Sequence, residues 1–525
     1  MNAHRPPGAP EPEDLVEELL SKRARARLEM GGAARVAALH AAGKRTARDW
    51  IEALADPGSF LEMGAFVQAA RHEQRNDAFG DGKVGGHARV NGRPVSVGAD
   101  DLTVKAGTDA SSNKKRMDRI YHQALAFGNP FVYFGQAAGS RIPDILGSEP
   151  MSQGAGIGAT ALRMRQIPMI MAIVGRSYGE SSFNAALSDF VVQVRGATLA
   201  VTSPRVIEMA TGESISEEEL GGVDVHNEKT GQIDLAVETD AAAVEAVKAF
   251  LSYLPDNAGQ LTPRATAPPR RPMPELRKLV PQERRRGYDM RKVIAALVDE
   301  GRHLELKPRF GRSLITTLAR FDGRAVGILA SQPMQQGGAM TPEACDKATR
   351  FICLCDSFNI PLIFLADTPG FLVGRQVEQN RLLNKAVMLN QALVHARVPR
   401  VTFVLRKAYG LAYFSMSGGR MGSTFMCGWP TAEISFMDPE VAVNVVHAPA
   451  LAKLEGDQRK AEADRLAAEL KRDTSVYQAA AVMGVDEVVD PAETPLIIAE
   501  ALDRLMAHYD PKARDRILAS WPTCF

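Results

Sequence analysis

Two strand-to-turn junctions hold the residues most able to do chemistry. They are SYGESSFNAALSDF from Ser177 and AYGLAYFSMSGG from Ala408. In each, an apolar run ends at a Tyr-Gly pair, Tyr178-Gly179 or Tyr409-Gly410, and residues compatible with a helix follow. A helix that starts there leaves its first N–H groups without intrahelical acceptors, and its macrodipole adds positive potential at the same spot. Gly179-Glu180-Ser181 and Gly410-Leu411-Ala412 therefore read as two backbone oxyanion holes. For either turn alone, a helix start with a glycine for close packing explains the residues equally well. Their recurrence at equivalent places favours the holes.

Other routes to catalysis leave no trace. No His-Glu-x-x-His, Gly-x-Ser-x-Gly or Walker-type phosphate loop occurs, and the 10 histidines are scattered. The GAGIG segment, 154–158, lacks dinucleotide-loop spacing and follows no clear strand, so it reads as a glycine turn. Two anion holes without an evident nucleophile suit enolate chemistry, in which stabilising a developing charge is the main task.

The elements that position these turns repeat. Asn91-Gly92-Arg93 precedes the strand pattern PVSVGAD, and Asp322-Gly323-Arg324 precedes AVGILAS; Gly92 and Gly323 are 231 positions apart. Pro130 opens FVYFGQAAGSRI and Pro361 opens LIFLADTPGFLVG, again with an offset of 231. Pro168 and Pro399 open a third pair of buried runs, and Gly179 and Gly410 complete the series at the same 231. Apolar strands resemble one another by chance, but four anchors in one register point to a duplicated α/β unit of alternating buried strands and helices. Between the copies, QLTPRATAPPRRPMP (residues 260–274) continues neither a helix nor a central strand. The expected organisation is a flexible N-terminus over 1–22, a domain over 23–261, a linker over 262–274 and a second domain over 275–525.

Composition sets outer limits. The 525 residues exceed what one core supports, and 45% hydrophobic with 24% charged residues indicates an ordinary globular protein. Lys plus Arg total 63 against 62 Asp plus Glu, so no global field draws the chain to nucleic acid. The 5 cysteines lack Cys-x-x-Cys spacing, which argues against a disulfide framework or a zinc ribbon and for a reducing compartment. No run approaches the roughly 20 apolar residues of a membrane span, and the first residues carry no signal-like core. The expectation is a cytoplasmic protein that binds neither membrane nor metal.

From about Arg23 onward the chain resembles the carboxyltransferase (beta) subunits of biotin-dependent acyl-CoA carboxylases, of the propionyl-CoA and acetyl-CoA carboxylase type. The resemblance rests on HAAGKRTARDWIEALADPGSFLEMG (His40 to Gly64), SPRVIEMATGESISEEELGGVDVH (Ser203 to His226), the stretch from Ala330 to Phe371, and RKAYGLAYFSM (Arg406 to Met416). It implies an internally duplicated crotonase-like (ClpP/crotonase) spiral fold and a homo-oligomer, commonly a hexamer with active sites between the N half of one chain and the C half of another. It also implies a partner, the biotin carboxylase/biotin carrier subunit, that carries biotin covalently. The amides of Glu180 and Ser181 would then receive the thioester oxygen of an acyl-CoA, and those of Leu411 and Ala412 the ureido oxygen of biotin.

The family's usual Gly-Gly-Ala stands here as Gly179-Glu180-Ser181 and Gly410-Leu411-Ala412. Backbone donors survive every substitution but proline, yet Glu180 sets a carboxyl beside the proposed enolate oxygen. Either it turns away to meet a cation near the helix start, or it acts as an acid or base. By the same resemblance, Lys114, Lys115 and Arg116 sit where the family contacts CoA, although a solvated basic face explains them nearly as well. Gly139 and Arg141 would lie near the acyl-CoA pocket, with Arg141 alternatively tying its own turn to Asp144. Phe414 would favour a larger or more apolar acyl group, and Tyr409, Pro369, Gly370 and Phe371 would line the biotin side. Two other readings stay open: a biotin-independent acyl-CoA hydratase, isomerase or decarboxylase using Glu180, and a non-catalytic assembly subunit.

Overall fold

The structure, a computed structural model, describes residues 12–77, 79–152, 165–267, 270–419, 421–513 and 515–521. The GAGIG segment and Cys524 lie outside them. The chain divides into two compact units, Met1–Arg163 with Ile167–His226 and Ala236–Lys248, and Met164–Gln166 with Asn227–Leu235 and Ala249–Phe525.

Alternating apolar runs with tight turns give the first unit a mixed sheet. Among the described residues its strands are β1 (Leu61–Glu62), β2 (Lys83–Val90), β3 (Arg93–Asp100), β4 (Phe131–Gly135), β5 (Met169–Ile173), β7 (Phe190–Val194) and β9 (Leu235–Val237), adjacent in that order. A short parallel pair, β6 (Arg176–Tyr178) with β8 (Thr198–Ala200), stands apart. β2 and β3 form a hairpin whose turn residues Asn91 and Gly92 have φ of 50° and 79°, the left-handed pair that a two-residue turn requires. From β3 to β7 the strands run parallel. The central β5, MIMAI, is buried throughout, as a parallel strand covered on both faces should be.

The second unit repeats this plan with β10 (His303–Leu306), β11 (Leu314–Phe321), β12 (Arg324–Ser331), β13 (Leu362–Thr368), β14 (Arg400–Tyr409), β15 (Phe425–Gly428) and β17 (Glu487–Val488); β16 (Glu433–Ser435) pairs with β14. Its hairpin turn at Asp322 and Gly323 has φ of 53° and 73°. The register is copied as well as the order. Ser96 pairs with Phe131 and Phe131 with Met169; Gly327 pairs with Leu362 and Leu362 with Arg400, every number 231 higher. The copy drifts at both ends: beyond the glycine turns Phe190 and Phe425, which open β7 and β15, are 235 apart, and before the hairpin Leu61 of β1 corresponds to Leu304 of β10.

In the second unit Ile315, Ile328, Ile363, Val401, Phe403 and Trp429 join one core. Within it Lys347 is fully buried on the helix Pro342–Ser357, and its Nζ donates to the carbonyls of Lys307, Phe310 and Leu314 at 2.8, 3.1 and 2.8 Å. Burial pulls this ammonium down to about 7, with the charge of Glu305 opposing the shift. The stretch read as a linker lies along this unit: Arg264 and Arg270 both pair with Asp322, Arg270 at 2.5 Å.

Candidate active site

In the first unit Gly179 caps the helix Glu180–Leu187 with φ 63° and ψ −131°, a conformation open to glycine and costly for other residues. Its carbonyl accepts from the N–H of Ser182 at 3.0 Å and of Phe183 at 3.3 Å. The N–H groups of Glu180 and Ser181 have no acceptor among the described residues. Gly139 is brought to this turn: a Cβ on Gly139 would stand 3.6 Å from Cβ of Tyr178, and one on Gly179 would stand 3.8 Å from Oγ of Ser140. The side chain of Glu180 accepts from Nζ of Lys114 at 2.9 Å, and both line a cavity of about 70 Å³ with Met117, Tyr121, Phe131 and Tyr133. Glu180 thus meets a cation close to the helix start while still facing the cavity.

The helix Ser111–Phe127 supplies that cation, and Asn113 pins its first turn by accepting from the N–H of Ala110 and donating to the carbonyls of Asp81 and Thr108. Its three basic residues separate in role. Lys114 is engaged with Glu180, and Lys115 is exposed. Arg116, expected at a CoA phosphate, is instead buried, donating to the carbonyls of Met63 and Lys83 and pairing with Glu62 at 3.1 Å. A guanidinium so satisfied has no group left for a phosphate. Arg141 likewise serves its own turn: it pairs with Asp81 at 2.7 Å and Asp144 at 3.2 Å, within reach of Thr108. The tie to Asp144 is thus present, and the backbone N–H of Arg141 also donates to the carbonyl of Asp109 at 2.8 Å.

The second unit builds the matching turn. Gly410 has φ 59° and starts the helix Gly410–Ser415, and the N–H groups of Leu411 and Ala412 have no acceptor among the described residues. The side chain of Leu411 is 63% exposed. Tyr409, buried, donates its hydroxyl to Glu433 at 2.5 Å, and Arg284 in turn reaches Glu433 and Asp438. Below the strand end Asp367 is fully buried, accepting from Nε of Arg406 at 3.1 Å and from the N–H of Lys407 at 3.2 Å. The turn Pro369-Gly370-Phe371 belongs to the same place, since a Cβ on Gly370 would sit 3.9 Å from the Tyr409 carbonyl. Phe414 is half-buried against Tyr413, ring centroids 5.3 Å apart.

Sequence reasoning missed one constellation altogether. Lys83 at the head of β2 is buried against Asp100 (2.5 Å), Asp109 (2.8 Å) and the Tyr133 hydroxyl (3.1 Å), and that hydroxyl donates to Asp100 at 2.5 Å. Burial pushes the lysine down, but Asp100 and Asp109 outweigh it and hold the ammonium well above the ordinary range. The one available signal was a lysine opening the strand KVGGHARV ahead of Val84-Gly85-Gly86. Among the described residues no cluster of three or more His, Cys, Asp or Glu could hold a metal ion, and no helix is long and apolar enough to cross a membrane.

The fold is a duplicated α/β unit that presents, in each copy, a glycine turn followed by two amides without acceptors among the described residues. Residues 38–515 match the carboxyl transferase domain, and the chain belongs to that family. It is 37% identical to the methylmalonyl-CoA carboxyltransferase 12S subunit of Propionibacterium freudenreichii subsp. shermanii, over 90% of this chain and 91% of that one. It is 36% identical to the biotin-dependent long chain acyl-coenzyme A carboxylase beta4 subunit of Mycobacterium tuberculosis, over 93% and 94%. The fold is that of the transcarboxylase 12S hexamer solved with methylmalonyl-coenzyme A and methylmalonic acid bound, at a TM-score of 0.89, 35% identity and 98% coverage of both chains. The expected α/β, crotonase-like fold is the one observed, and the chain is a carboxyltransferase.

Proposed function

We propose that the chain moves a carboxyl group from biotin, held covalently on a partner carrier subunit, to the α-carbon of an acyl-CoA. The observation that carries this reading is the pair of glycine turns, Gly179 at φ 63° and Gly410 at φ 59°, each followed by two amides without acceptors. The amides of Glu180 and Ser181 hold the thioester oxygen and stabilise it as the α-proton leaves and an enolate forms. The amides of Leu411 and Ala412 hold the ureido oxygen, with Tyr409, Pro369, Gly370 and Phe371 around it. The residues fit that group: two amides without acceptors, on a turn tied down by the Tyr409 hydroxyl on Glu433 and with the Leu411 side chain exposed beside them, suit a ring carried in on a partner. Bound there, biotin supplies the carboxyl group and a base for the α-proton, which is why this chain needs no side-chain base of its own.

The relatives support the same assignment, and by likeness to the transcarboxylase 12S hexamer the chain works as a homo-hexamer. Cys345, Cys353, Cys355 and Cys427 are buried and unpaired, which suits a reducing cytoplasm. A biotin-free use of Glu180 is disfavoured by its pairing with Lys114 at 2.9 Å, which engages the side chain that such chemistry would need free.

Purified chain incubated with a carboxylated biotin carrier and a panel of short and long acyl-CoAs should yield the α-carboxylated thioester, and avidin should abolish it. A biotinylated polypeptide should also co-purify on streptavidin detection. Product formed without carrier would favour the biotin-free enzyme. Carrier binding without turnover on any acyl-CoA would mark an assembly subunit.

A further inference from the structure

The cavity beside Glu180 is more polar than an apolar acyl chain requires. The Glu180 side chain is part of its wall, so on the reading above the cavity is the space beside the thioester that the acyl chain would enter. Met117, Tyr121, Phe131 and Met169 supply apolar surface. Lys83, Asp109 and Tyr133 line it from the buried constellation described above. At about 70 Å³ it has room for on the order of five water-sized groups.

The hydrogen bonds there are unevenly filled. All three protons of the Lys83 ammonium have an acceptor, in Asp100, Asp109 and Tyr133, and the Tyr133 proton goes to Asp100. No donor is left over. Oδ1 of Asp109 faces Lys83, while its Oδ2 is buried without a hydrogen-bond partner. A buried carboxylate oxygen left unsatisfied costs free energy that a ligand donor would recover. Charge points the same way: Asp109, Asp118 and Glu180 line the cavity against Lys83 and Lys114, and Asp100 stands behind Lys83. An acyl chain ending in a carboxylate would meet net repulsion.

We propose that this cavity selects a short acyl-CoA whose chain carries a hydrogen-bond donor, a hydroxyl or an ammonium group, with Asp109 as the acceptor that reads it. The inference rests on the acyl-CoA reading of the first unit and narrows its substrate class. It departs from the apolar preference expected from Phe414.

The test compares butyryl-CoA with 3-hydroxybutyryl-, 4-hydroxybutyryl- and 3-aminobutyryl-CoA and with succinyl-CoA, in equilibrium binding to the purified protein and in carrier-dependent carboxylation. At least one hydroxyl- or ammonium-bearing thioester should bind at least 10-fold more tightly than butyryl-CoA, and should exceed it at least 10-fold in kcat/KM. The hydroxyl and amino arms then tell which donor is read. Asp109→Leu should cut that ratio at least 10-fold, and Asp109→Asn, which keeps the shape of the side chain, should cut it too if the leucine variant does not fold. Equal or tighter binding of butyryl-CoA or succinyl-CoA by the wild type overturns the proposal. If thioesters bind with the expected order but none is carboxylated, the donor subsite stands and the carboxyl-transfer reading falls.

Discussion

Leu411→Pro is expected to lower the rate of carboxyl transfer by about 10² to 10³-fold, the range found when one oxyanion donor is removed, while Leu411→Ala stays close to wild type. Proline deletes the amide and little else. It is tolerated in the first turn, where Leu411 is the second residue of the helix Gly410–Ser415, because that N–H has no intrahelical acceptor and the ring fixes φ near the helical value. Gly410, at φ 59°, lies outside the helical region that a following proline disfavours. The Leu411 side chain is exposed, so its loss uncovers no core. Thermal unfolding of the three proteins should coincide, which separates a lost donor from a lost fold. A proline variant with wild-type turnover would mean that the ureido oxygen is held elsewhere.

The second large effect concerns the carboxylate beside the other hole. Lys114→Met removes the cation paired with Glu180 at 2.9 Å and leaves that side chain beside an oxygen that must gain negative charge, where like charges in a partly buried site repel strongly. We expect kcat/KM to fall by roughly 10 to 100-fold, about 1.4 to 2.8 kcal/mol of transition-state stabilisation. Lys114→Met/Glu180→Gln should restore most of it, because the double variant removes the repelling charge along with its partner. The alternative role for Lys114, a contact to CoA phosphates, gives a different pattern. The loss would then fall on KM, weaken with added salt, and persist in the double variant.

What the sequence revealed was what depends on backbone and periodicity. The hairpin turns at Asn91-Gly92 and Asp322-Gly323, the buried runs that became β4, β5, β13 and β14, and the glycines at 179 and 410 all impose local constraints, and a second copy 231 residues on made each one checkable. Side-chain partnerships were not legible. Lys83 meets Asp100 and Tyr133 across 17 and 50 residues, and Arg116 meets Glu62 across 54. A basic cluster at 114–116 on a polar helix looks like solvated surface, and only the fold shows that Arg116 faces inward while Lys114 leans toward the turn. Arg141 illustrates the same limit. Its local partner Asp144 could be guessed at three residues, but Asp81, 60 residues away, could not.

The account stands most directly on where the thioester oxygen binds. In a structure of the protein with an acyl-CoA, that oxygen is expected about 2.7 to 3.1 Å from the amide nitrogens of both Glu180 and Ser181. An acyl-CoA bound with its oxygen turned to any other group, and those two amides facing water, would contradict it.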